Sequence, residues 1–241
     1  MTNLERLFKP TKVAVIGASS NSEKLGGIVM NNLTNGGYTG SILPVNPKGG
    51  MIFNLKAYKS IDVLPPDVDL AILALDAEMS IQAIEGLGNK HVPFAIIFAG
   101  GYAEIGNVDL EHSLLEACTK ANIQLIGPNC MGLFNANQSL NASFMNILPR
   151  ITGKVSLVSQ SGSLIAVAIY EKLRMGKFVS IGNAITTSFQ ELLPYLAEDP
   201  ETFVIALYIE SLKDGRSFLE LVRSINKPII ALRAGKTEAG N

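Results

Sequence analysis

The chain has 241 residues, of which 47% are hydrophobic and 17% are charged, so it can bury a substantial core and is not expected to be disordered. Its formal net charge of -1, from 20 basic and 21 acidic residues, gives no global field that would gather nucleic acid or an anionic membrane. The two cysteines and two histidines are too few for a disulfide framework or a metal-ligand cluster.

The N-terminal segment Met1–Thr11 is polar and mixed in charge, with no apolar run before a cleavage site. No later segment reaches the roughly 18 uninterrupted apolar residues of a membrane span. The sequence therefore predicts a cytoplasmic protein that acts on small molecules and binds neither nucleic acid nor membrane.

The first half of the chain alternates short apolar runs with segments of helical period. Strands are predicted at Lys12–Gly17, Ser41–Val45, Asp69–Leu75, Phe94–Ala99 and Gln124–Ile126, and helices at Leu25–Asn35, Glu78–Gly88 and Leu110–Ala121. This order is typical of a parallel sheet with crossover helices. Because runs such as VAVIG and AILAL are apolar throughout, we expect helices on both faces of the sheet.

The pattern weakens over Asn137–Lys154 and then resumes, which predicts a domain boundary near Pro149. The second half predicts a second α/β unit, with strands at Val155–Val158, Phe178–Ile181, Phe203–Ile209 and Pro228–Leu232 and helices at Ser163–Arg174, Phe189–Ala197 and Gly215–Ile225. Because no helix is predicted after the last strand, we expect this domain to be incomplete at its C-terminus.

The first predicted strand ends in the turn Gly17–Ser22, which leads into a helix. Free backbone N–H groups and the helix dipole at such a turn favour a phosphate group. The turn lacks the full G-x-G-x-x-G fingerprint, because Ser19 and Ser22 occupy the second and third glycine positions. The alternative is an ordinary turn in which a serine caps the helix.

The turn after the second predicted strand distinguishes between nucleotides. An NAD site would place an acidic residue there, whereas this chain has the sequence Asn46-Pro47-Lys48-Gly49-Gly50. The positive charge of Lys48 predicts a phosphate, such as those of coenzyme A or NADP. The alternative is a solvated lysine in a turn.

The fifth predicted strand leads into the turn Gly127–Gly132, at the edge where open α/β sheets bind ligands. Asn129 is a candidate hydrogen-bonding group for a pantetheine amide or an acyl carbonyl. Cys130 has no histidine in its local motif to activate it, so packing is favoured over a nucleophilic role.

The second domain begins with another strand-to-helix turn, Ser159–Ser163, which is rich in hydroxyl groups and forms a second candidate anion cradle. No lysine follows its glycine as in a Walker A loop, so we expect it to hold a phosphoryl group transiently. Glu210, at the end of a predicted strand, could orient a histidine through a carboxylate–imidazole hydrogen bond. Its alternative role is that of a surface charge or a helix N-terminal acid.

Nearly the whole chain resembles the ADP-forming acetyl-CoA synthetases, relatives of the succinyl-CoA synthetase α subunit. The resemblance is carried, in order, by VAVIGAS, PVNPKGG, FAGGYAE, IGPNCMG, VSQSGSL, FVSIGN, YLAEDPET, ALYIES, KDGRSFLE and RAGKTEAG. It implies a CoA-binding Rossmann-like domain over residues 1–149 and a flavodoxin-like ligase domain over residues 150–241. It also implies a reaction in which a short-chain carboxylic acid forms an acyl phosphate, whose phosphoryl group passes through a histidine to ADP on an ATP-grasp domain that holds Mg²⁺.

The resemblance further implies roles for individual residues. CoA would contact Gly17, Ser19, Ser20, Lys24, Asn46 and Lys48. The acyl and thioester end would meet Ala99, Gly100, Asn129 and Cys130. The phosphoryl cradle would be formed by Ser159, Ser161 and Gly162, and Glu210 would position the histidine.

Three segments depart from the family pattern. Ala184–Ser188 replaces a run that commonly carries acidic residues, and Leu75-Asp76-Ala77 stands where a Val-Pro-Ala turn is frequent. The chain ends at Asn241, before the position of the family's histidine, and neither His91 nor His112 matches it. We therefore expect a fragment that is inactive by itself and that works with an ATP-grasp domain or β subunit in a larger oligomer.

Two other functions remain as alternatives. A chain without that histidine would act as a non-catalytic CoA-binding regulatory module. An NADP-dependent reductase is weaker, because the glycine fingerprint and an acid–base pair for hydride transfer are missing. The acid substrate stays open, since one methylene changes discrimination by only roughly 1–3 kcal/mol.

Overall fold

A computed structural model of the chain describes residues 4–145, 153–163 and 174–234. The helix predicted at Ser163–Arg174 lies, apart from its two end residues, outside these ranges, as does the boundary predicted near Pro149. Among the helices in these ranges, none has the length and hydrophobicity needed to span a bilayer.

The first domain is built on a five-stranded parallel sheet with the order β2-β1-β5-β6-β7. Its strands are β1 (Lys12–Ile16), β2 (Ser41–Val45), β5 (Leu70–Leu73), β6 (Phe94–Ile97) and β7 (Gln124–Ile126), and its longer helices are α2 (Leu25–Asn35), α3 (Ala77–Asn89) and α4 (Val108–Ala121). Asp76 caps α3 by accepting a hydrogen bond at Oδ1 from Met79 N at 2.8 Å. Asn122 ends α4 in the left-handed conformation, with φ 54°.

Helices cover both faces of this sheet, because its strands are apolar on both sides. Val13 and Val15 of β1 share a buried cluster with Val29 of α2, whereas Ala14 faces a second cluster that includes residues of α3 and α4. The predicted parallel α/β architecture is therefore confirmed.

Three short elements of this domain were not predicted from the sequence. The helix α1 (Glu5–Phe8) precedes the first strand. The strands β3 (Met51–Ile52) and β4 (Leu55–Lys56) pair with each other in an antiparallel ribbon after the lysine-containing turn. Elements of two to four residues carry too little periodicity to be distinguished from loops.

The second domain contains a six-stranded sheet with the order β13-β12-β10-β11-β8-β9. Its strands are β8 (Gly132–Asn135), β9 (Leu140–Ser143), β10 (Val155–Ser159), β11 (Met175–Ser180), β12 (Val204–Ile209) and β13 (Ile229–Arg233). The helix α5 (Phe189–Glu198) begins with a capping box between Ser188 and Glu191, and Asp214 caps α6 (Gly215–Ser224).

The hairpin β8–β9 was missed by the sequence analysis, which treated residues after 137 as a weakly structured connection. In the structure β8 pairs antiparallel with β11, and β9 pairs antiparallel with β8. Residues 132–143 therefore belong to the second sheet although they precede the predicted boundary. Each strand has four buried residues, and β8 joins the sheet through β11, which lies more than 40 residues further along the chain, so local periodicity did not show the hairpin.

One buried hydrophobic cluster extends across both domains. The ring of Phe8 stacks on that of Tyr195 in α5, with centroids 4.7 Å apart and planes inclined by 4°. Asn135 Nδ2 of the hairpin donates to Phe8 O at 2.9 Å. These contacts fix the N-terminal helix against the second domain.

The carboxylate of the buried Asp69 joins α1 to the start of β1. It accepts hydrogen bonds from Thr11 N and Thr11 Oγ1 at 2.7 Å, from Lys12 N at 3.1 Å and from the Arg6 guanidinium. Burial by itself would raise the pKa of Asp69, but the hydrogen bonds from Thr11, Arg6 and Lys12 outweigh it and hold the pKa below its usual value. This carboxylate therefore stabilises the fold only while it is ionised.

We expect Asp69→Asn to lower the free energy of unfolding at pH 7 by about 1.5–3 kcal/mol, because charged hydrogen bonds are lost. Since the folded pKa is depressed, the contribution is complete above the unfolded pKa of about 3.9 and is lost as the pH falls through the folded value. Urea unfolding from pH 7 to pH 3 should show the two proteins converging at low pH. Asp67→Asn, at an exposed position two residues away, is the control, and equal losses for both variants would contradict this assignment.

Candidate functional site

The turn after β1 lies against the turn after β2 at the carboxyl edge of the first sheet. Gly17 has a φ of 83°, and the N–H groups of Gly17 and Ala18 both donate to Val45 O at 3.1 Å. Asn46 Nδ2 donates to Ala18 O at 2.8 Å. The structure thus brings together two of the turns that the sequence analysis assigned to phosphates.

Two glycines at the start of α2 allow the helix to approach this turn, and the sequence analysis did not single them out. A Cβ on Gly26 would lie 2.1 Å from Gly17 O, and a Cβ on Gly27 would lie 1.8 Å from Asn21 O. They provide the close helix–strand packing that the third glycine gives in the full fingerprint. The sequence signal that could have identified them is the pair Gly26-Gly27, which begins four residues after the Gly17–Ser22 turn.

The polar side chains of the turn divide into those used internally and those left free. Ser19 Oγ accepts a hydrogen bond from Asn21 N at 3.1 Å, so it shapes the turn. Ser20 and Lys24 are exposed, and Lys24 Nζ has no hydrogen-bond or ion-pair partner among the residues that the structure describes. Ser20 and Lys24 therefore remain available to a ligand.

The side chain of Asn46 holds the two turns together. Besides its bond to Ala18, its Oδ1 accepts from Lys48 N at 2.9 Å. Both ends of the amide are thus occupied, so the side chain of Asn46 holds the backbone of the two turns. Lys48 is exposed, and its Nζ lacks a partner within the described part of the chain.

A cavity of about 570 Å³ opens beside Gly49 and Gly50. Its walls include Lys56 and Lys59, two cations that the sequence analysis did not consider, together with Tyr58 and the exposed Val63. This cavity has apolar walls and two lysines and lies next to the loop of Lys48, and such a combination suits a nucleotide group.

The loop after β6 carries Ala99, Gly100 and Glu104 to the same edge. Glu104 Oε1 accepts hydrogen bonds from Gly101 N at 2.5 Å and from Tyr102 N at 3.2 Å. Tyr102 is fully buried, and its hydroxyl donates to Ala77 O at 3.1 Å. The loop therefore has a defined conformation, anchored on α3.

The turn after β7 contains a cis peptide bond between Gly127 and Pro128 and places Asn129 with a φ of 56°. Asn129 is exposed, and its N–H donates to Ala99 O at 2.9 Å. Cys130 is only 3% exposed, its Sγ donates to Ile97 O at 3.3 Å, and burial raises the pKa of its thiol to about 12. The geometry supports packing for this cysteine, because its side chain is buried and its Sγ donates to the backbone.

The turn after β10 meets the end of β12 at the carboxyl edge of the second sheet. Ser159 is buried and its Oγ donates to Ser161 O at 2.6 Å, while Ser161 Oγ lies 2.9 Å from Ser163 Oγ. A Cβ on Gly162 would lie 2.6 Å from the Met131 side chain, so the turn also packs on the first domain's last turn. Ser159 thus shapes the turn, and the hydroxyl of Ser161 pairs with that of Ser163.

Gln160 connects this turn to Glu210, a contact that the sequence analysis missed. Gln160 Oε1 accepts hydrogen bonds from Glu210 N at 2.7 Å and from Ser211 N at 3.0 Å. The carboxylate of Glu210 is exposed and has no partner among the described residues. The structure therefore places Glu210 beside the Ser159–Gly162 turn, as a group free to engage another side chain.

Comparison with known proteins identifies two domain families in the chain. The model of a CoA binding domain matches residues 11–136, and that of a succinyl-CoA ligase like flavodoxin domain matches residues 152–241. These matches agree with the predicted order of domains.

Curated relatives and a solved structure extend the match over nearly the whole chain. The chain is 39% identical to an ADP-forming acetate–CoA ligase of Methanocaldococcus jannaschii, covering 98% of this chain and 34% of that protein. It is 39% identical to the α subunit of the ADP-forming acetate–CoA ligase II of Pyrococcus furiosus, covering 99% and 53%. The acetyl-coenzyme A synthetase 1 of Ca. Korarchaeum cryptofilum, solved with phosphate and ADP, superimposes with a TM-score of 0.93 at 33% identity, covering 100% of this chain and 53% of that one. The chain thus spans about a third to a half of the length of these proteins.

Proposed function

Because the chain belongs to the family of ADP-forming acetyl-CoA synthetases, we propose that it forms the CoA-binding part of an acid–CoA ligase. The overall reaction would convert a short-chain carboxylic acid, CoA and ATP into acyl-CoA, ADP and phosphate. An acyl phosphate and a phosphohistidine would be the intermediates, and an ATP-grasp partner would hold the nucleotide with Mg²⁺.

The main support for the proposal is that two turns predicted to bind phosphate, those after β1 and β2, lie together at one edge of the first sheet. Asn46 links the Gly17–Ser22 turn to the loop of Lys48, and the N-terminus of α2, which favours an anion, packs closely against the same turn. Lys24 and Lys48 supply positive charge without internal partners in the described chain. CoA, with its pyrophosphate and 3′-phosphate, has the charge distribution that such a site requires.

The second domain would take part in phosphoryl transfer. Ser161 and Gly162 lie in the turn after β10, and Gln160 of the same turn accepts a hydrogen bond from the backbone of Glu210. A free carboxylate in this position can orient an imidazole, because it can accept a hydrogen bond from the ring N–H. This arrangement supports an enzyme over a purely regulatory CoA-binding module.

We expect the chain to bind CoA more tightly than dephospho-CoA, because a phosphate contacted by a lysine contributes roughly 1.5–3 kcal/mol. Lys48→Ala should weaken CoA binding by roughly 10- to 150-fold, which is this energy expressed as an affinity ratio, and abolish the preference between the two ligands. Titration calorimetry measures both affinities. Lys120→Ala, at an exposed position on α4, is the matched control.

Two results would contradict this proposal. Equal affinities of the unchanged chain for CoA and dephospho-CoA would remove Lys48 from the 3′-phosphate. Tighter binding of NADPH than of CoA would favour a reductase and would exclude the assignment as a ligase.

A further inference from the structure

One amide of the second domain meets two carboxylates of the first domain. Asn183 follows β11, and its Nδ2 donates to Glu104 Oε2 at 2.6 Å and to Glu111 Oε2 at 2.7 Å. Its Oδ1 accepts a longer hydrogen bond from Asn129 Nδ2 at 3.4 Å. Because an amide NH₂ has two hydrogens, both donors of Asn183 are committed to the first domain.

The carboxylate of Glu104 is the central member of this network. Its Oε1 is held by the N–H groups of Gly101 and Tyr102, so its Oε2 is free to accept from Asn183. Burial would raise the pKa of Glu104, but the hydrogen bonds from Asn183 and from the loop backbone outweigh it and keep the pKa below its usual value. Glu104 therefore links the loop after β6 to the second domain as an ionised group.

The backbone around Asn183 is packed against the cis-proline turn. Asn183 N donates to Pro128 O at 3.0 Å, and a Cβ on Gly182 would lie 2.1 Å from the same oxygen. Gly182 has a φ of 53°, and because glycine tolerates this conformation and has no side chain, the turn can approach Pro128 closely. The backbone that carries the Asn183 side chain is thus held against the last turn of the first domain.

The network lies directly beside the position proposed for the thioester. A Cβ on Gly100 would lie 2.9 Å from Glu104 Oε1 and 3.4 Å from Asn129 Oδ1. By contrast, the turn at Gly17–Ser22 and the loop of Lys48 are held by Asn46, without any member of this network. The two ends of the CoA site are therefore held by separate sets of hydrogen bonds.

We propose that Glu104 and Asn183 are positioning residues, whose hydrogen bond holds the Ala99–Glu104 loop against the second domain in the conformation that receives the acyl end of CoA. The inference rests on the proposed function, since it assigns a task within the CoA site. Pantetheine and the acyl group depend on this hydrogen bond, whereas the adenosine phosphates do not.

Two probes separate these ends of the ligand. CoA contains both, and adenosine 3′,5′-bisphosphate contains the phosphorylated adenosine without pantetheine. Glu104→Gln keeps an acceptor for the two loop N–H groups but places an NH₂ donor against the donor of Asn183. We expect Glu104→Gln and Asn183→Ala each to weaken CoA binding by about tenfold and to leave binding of the bisphosphate unchanged in calorimetry.

A polarity reversal tests whether the hydrogen bond itself matters. In the combined variant Glu104→Gln, Glu111→Gln and Asn183→Asp, two amides donate to one carboxylate, so that each contact is restored with donor and acceptor exchanged. CoA affinity should return to within about threefold of the unchanged chain. Glu116→Gln removes a carboxylate from the exposed face of α4, where the side chain is 70% accessible, and should change neither affinity.

The outcomes are distinguishable. If the unchanged chain binds neither probe, the proposed CoA site itself fails. Suppose instead that the unchanged chain binds both probes. The positioning role is then overturned if Glu104→Gln and Asn183→Ala bind CoA as tightly as the unchanged chain does. It is also overturned if the two variants are folded and lose affinity for both probes equally. Thermal melts identify an unfolded variant, in which case Asn183→Ala carries the test because it leaves Glu104 bound to its own loop.

Discussion

Replacement of the buried Lys177 by methionine is expected to lower the free energy of unfolding by about 3–5 kcal/mol. The side chain is 1% exposed, and its Nζ lies 2.8 Å from Asp199 Oδ2 and 2.6 Å from Glu201 Oε2. Asp199 is also buried, so removal of the cation leaves its carboxylate without charge compensation. Urea unfolding at pH 7, followed by circular dichroism, measures the loss.

The pH dependence of this effect has a defined sign. Burial would raise the pKa of Asp199, but the hydrogen bonds from Lys177 and Thr202 and the charge of Lys177 outweigh it and hold the pKa below its usual value. The contribution of Asp199 is therefore present above the unfolded pKa and is lost as the pH falls through the folded value. The difference between Lys177→Met and the unchanged chain should shrink on acidification.

Two further variants distinguish a buried ion pair from a general loss of packing. Adding Asp199→Asn and Glu201→Gln to Lys177→Met removes the uncompensated charges and should recover most of the stability. Lys154 is an exposed lysine whose Nζ lies 4.0 Å from the centroid of the Phe203 ring. Lys154→Met should lower the free energy of unfolding by at most about 1 kcal/mol. A loss for Lys154→Met as large as that for Lys177→Met would contradict the assignment.

Gly27→Ala is expected to reduce CoA affinity by about 100-fold or more and to destabilise the fold by about 1–3 kcal/mol. The new Cβ would lie 1.8 Å from Asn21 O, so α2 has to move away from the turn at Gly17–Ser22. Contacts between the phosphates and the helix N-terminus contribute roughly 1.5–3 kcal/mol each, and the loss of two of them corresponds to this change in affinity. Calorimetry with CoA and urea unfolding measure the two effects.

Gly86→Ala provides a control inside another helix of the same domain. Its Cβ would contact the Ile61 side chain at 3.6 Å, which is an ordinary separation, in the middle of α3. We expect it to stabilise the chain by about 0.5–1 kcal/mol and to leave CoA affinity unchanged. Unaltered CoA binding by Gly27→Ala would show that the N-terminus of α2 does not contribute to the site.

Elements with strong local signals were predicted with accurate bounds. The strands Ser41–Val45 and Gln124–Ile126 and the helix Leu25–Asn35 are found as predicted. β11 begins earlier than predicted and contains Lys177, a charged residue that no apolar run includes. A lysine in a buried strand is stable only beside its carboxylate partners, which follow 22 and 24 residues later as Asp199 and Glu201.

The sequence by itself determined the two α/β domains and the turns that carry the candidate site, because apolar runs and glycine-containing turns are local signals, and the carboxyl ends of parallel strands meet at one edge. Only the tertiary structure decided which polar groups are free and which are occupied. Asn46 and Ser159 are used to hold backbone, whereas Lys24 and Lys48 remain available to a ligand. The pairing of β8 with β11 and the link between Glu104 and Asn183 join residues from distant parts of the chain, and such pairings depend on tertiary packing and not on the periodicity of either segment.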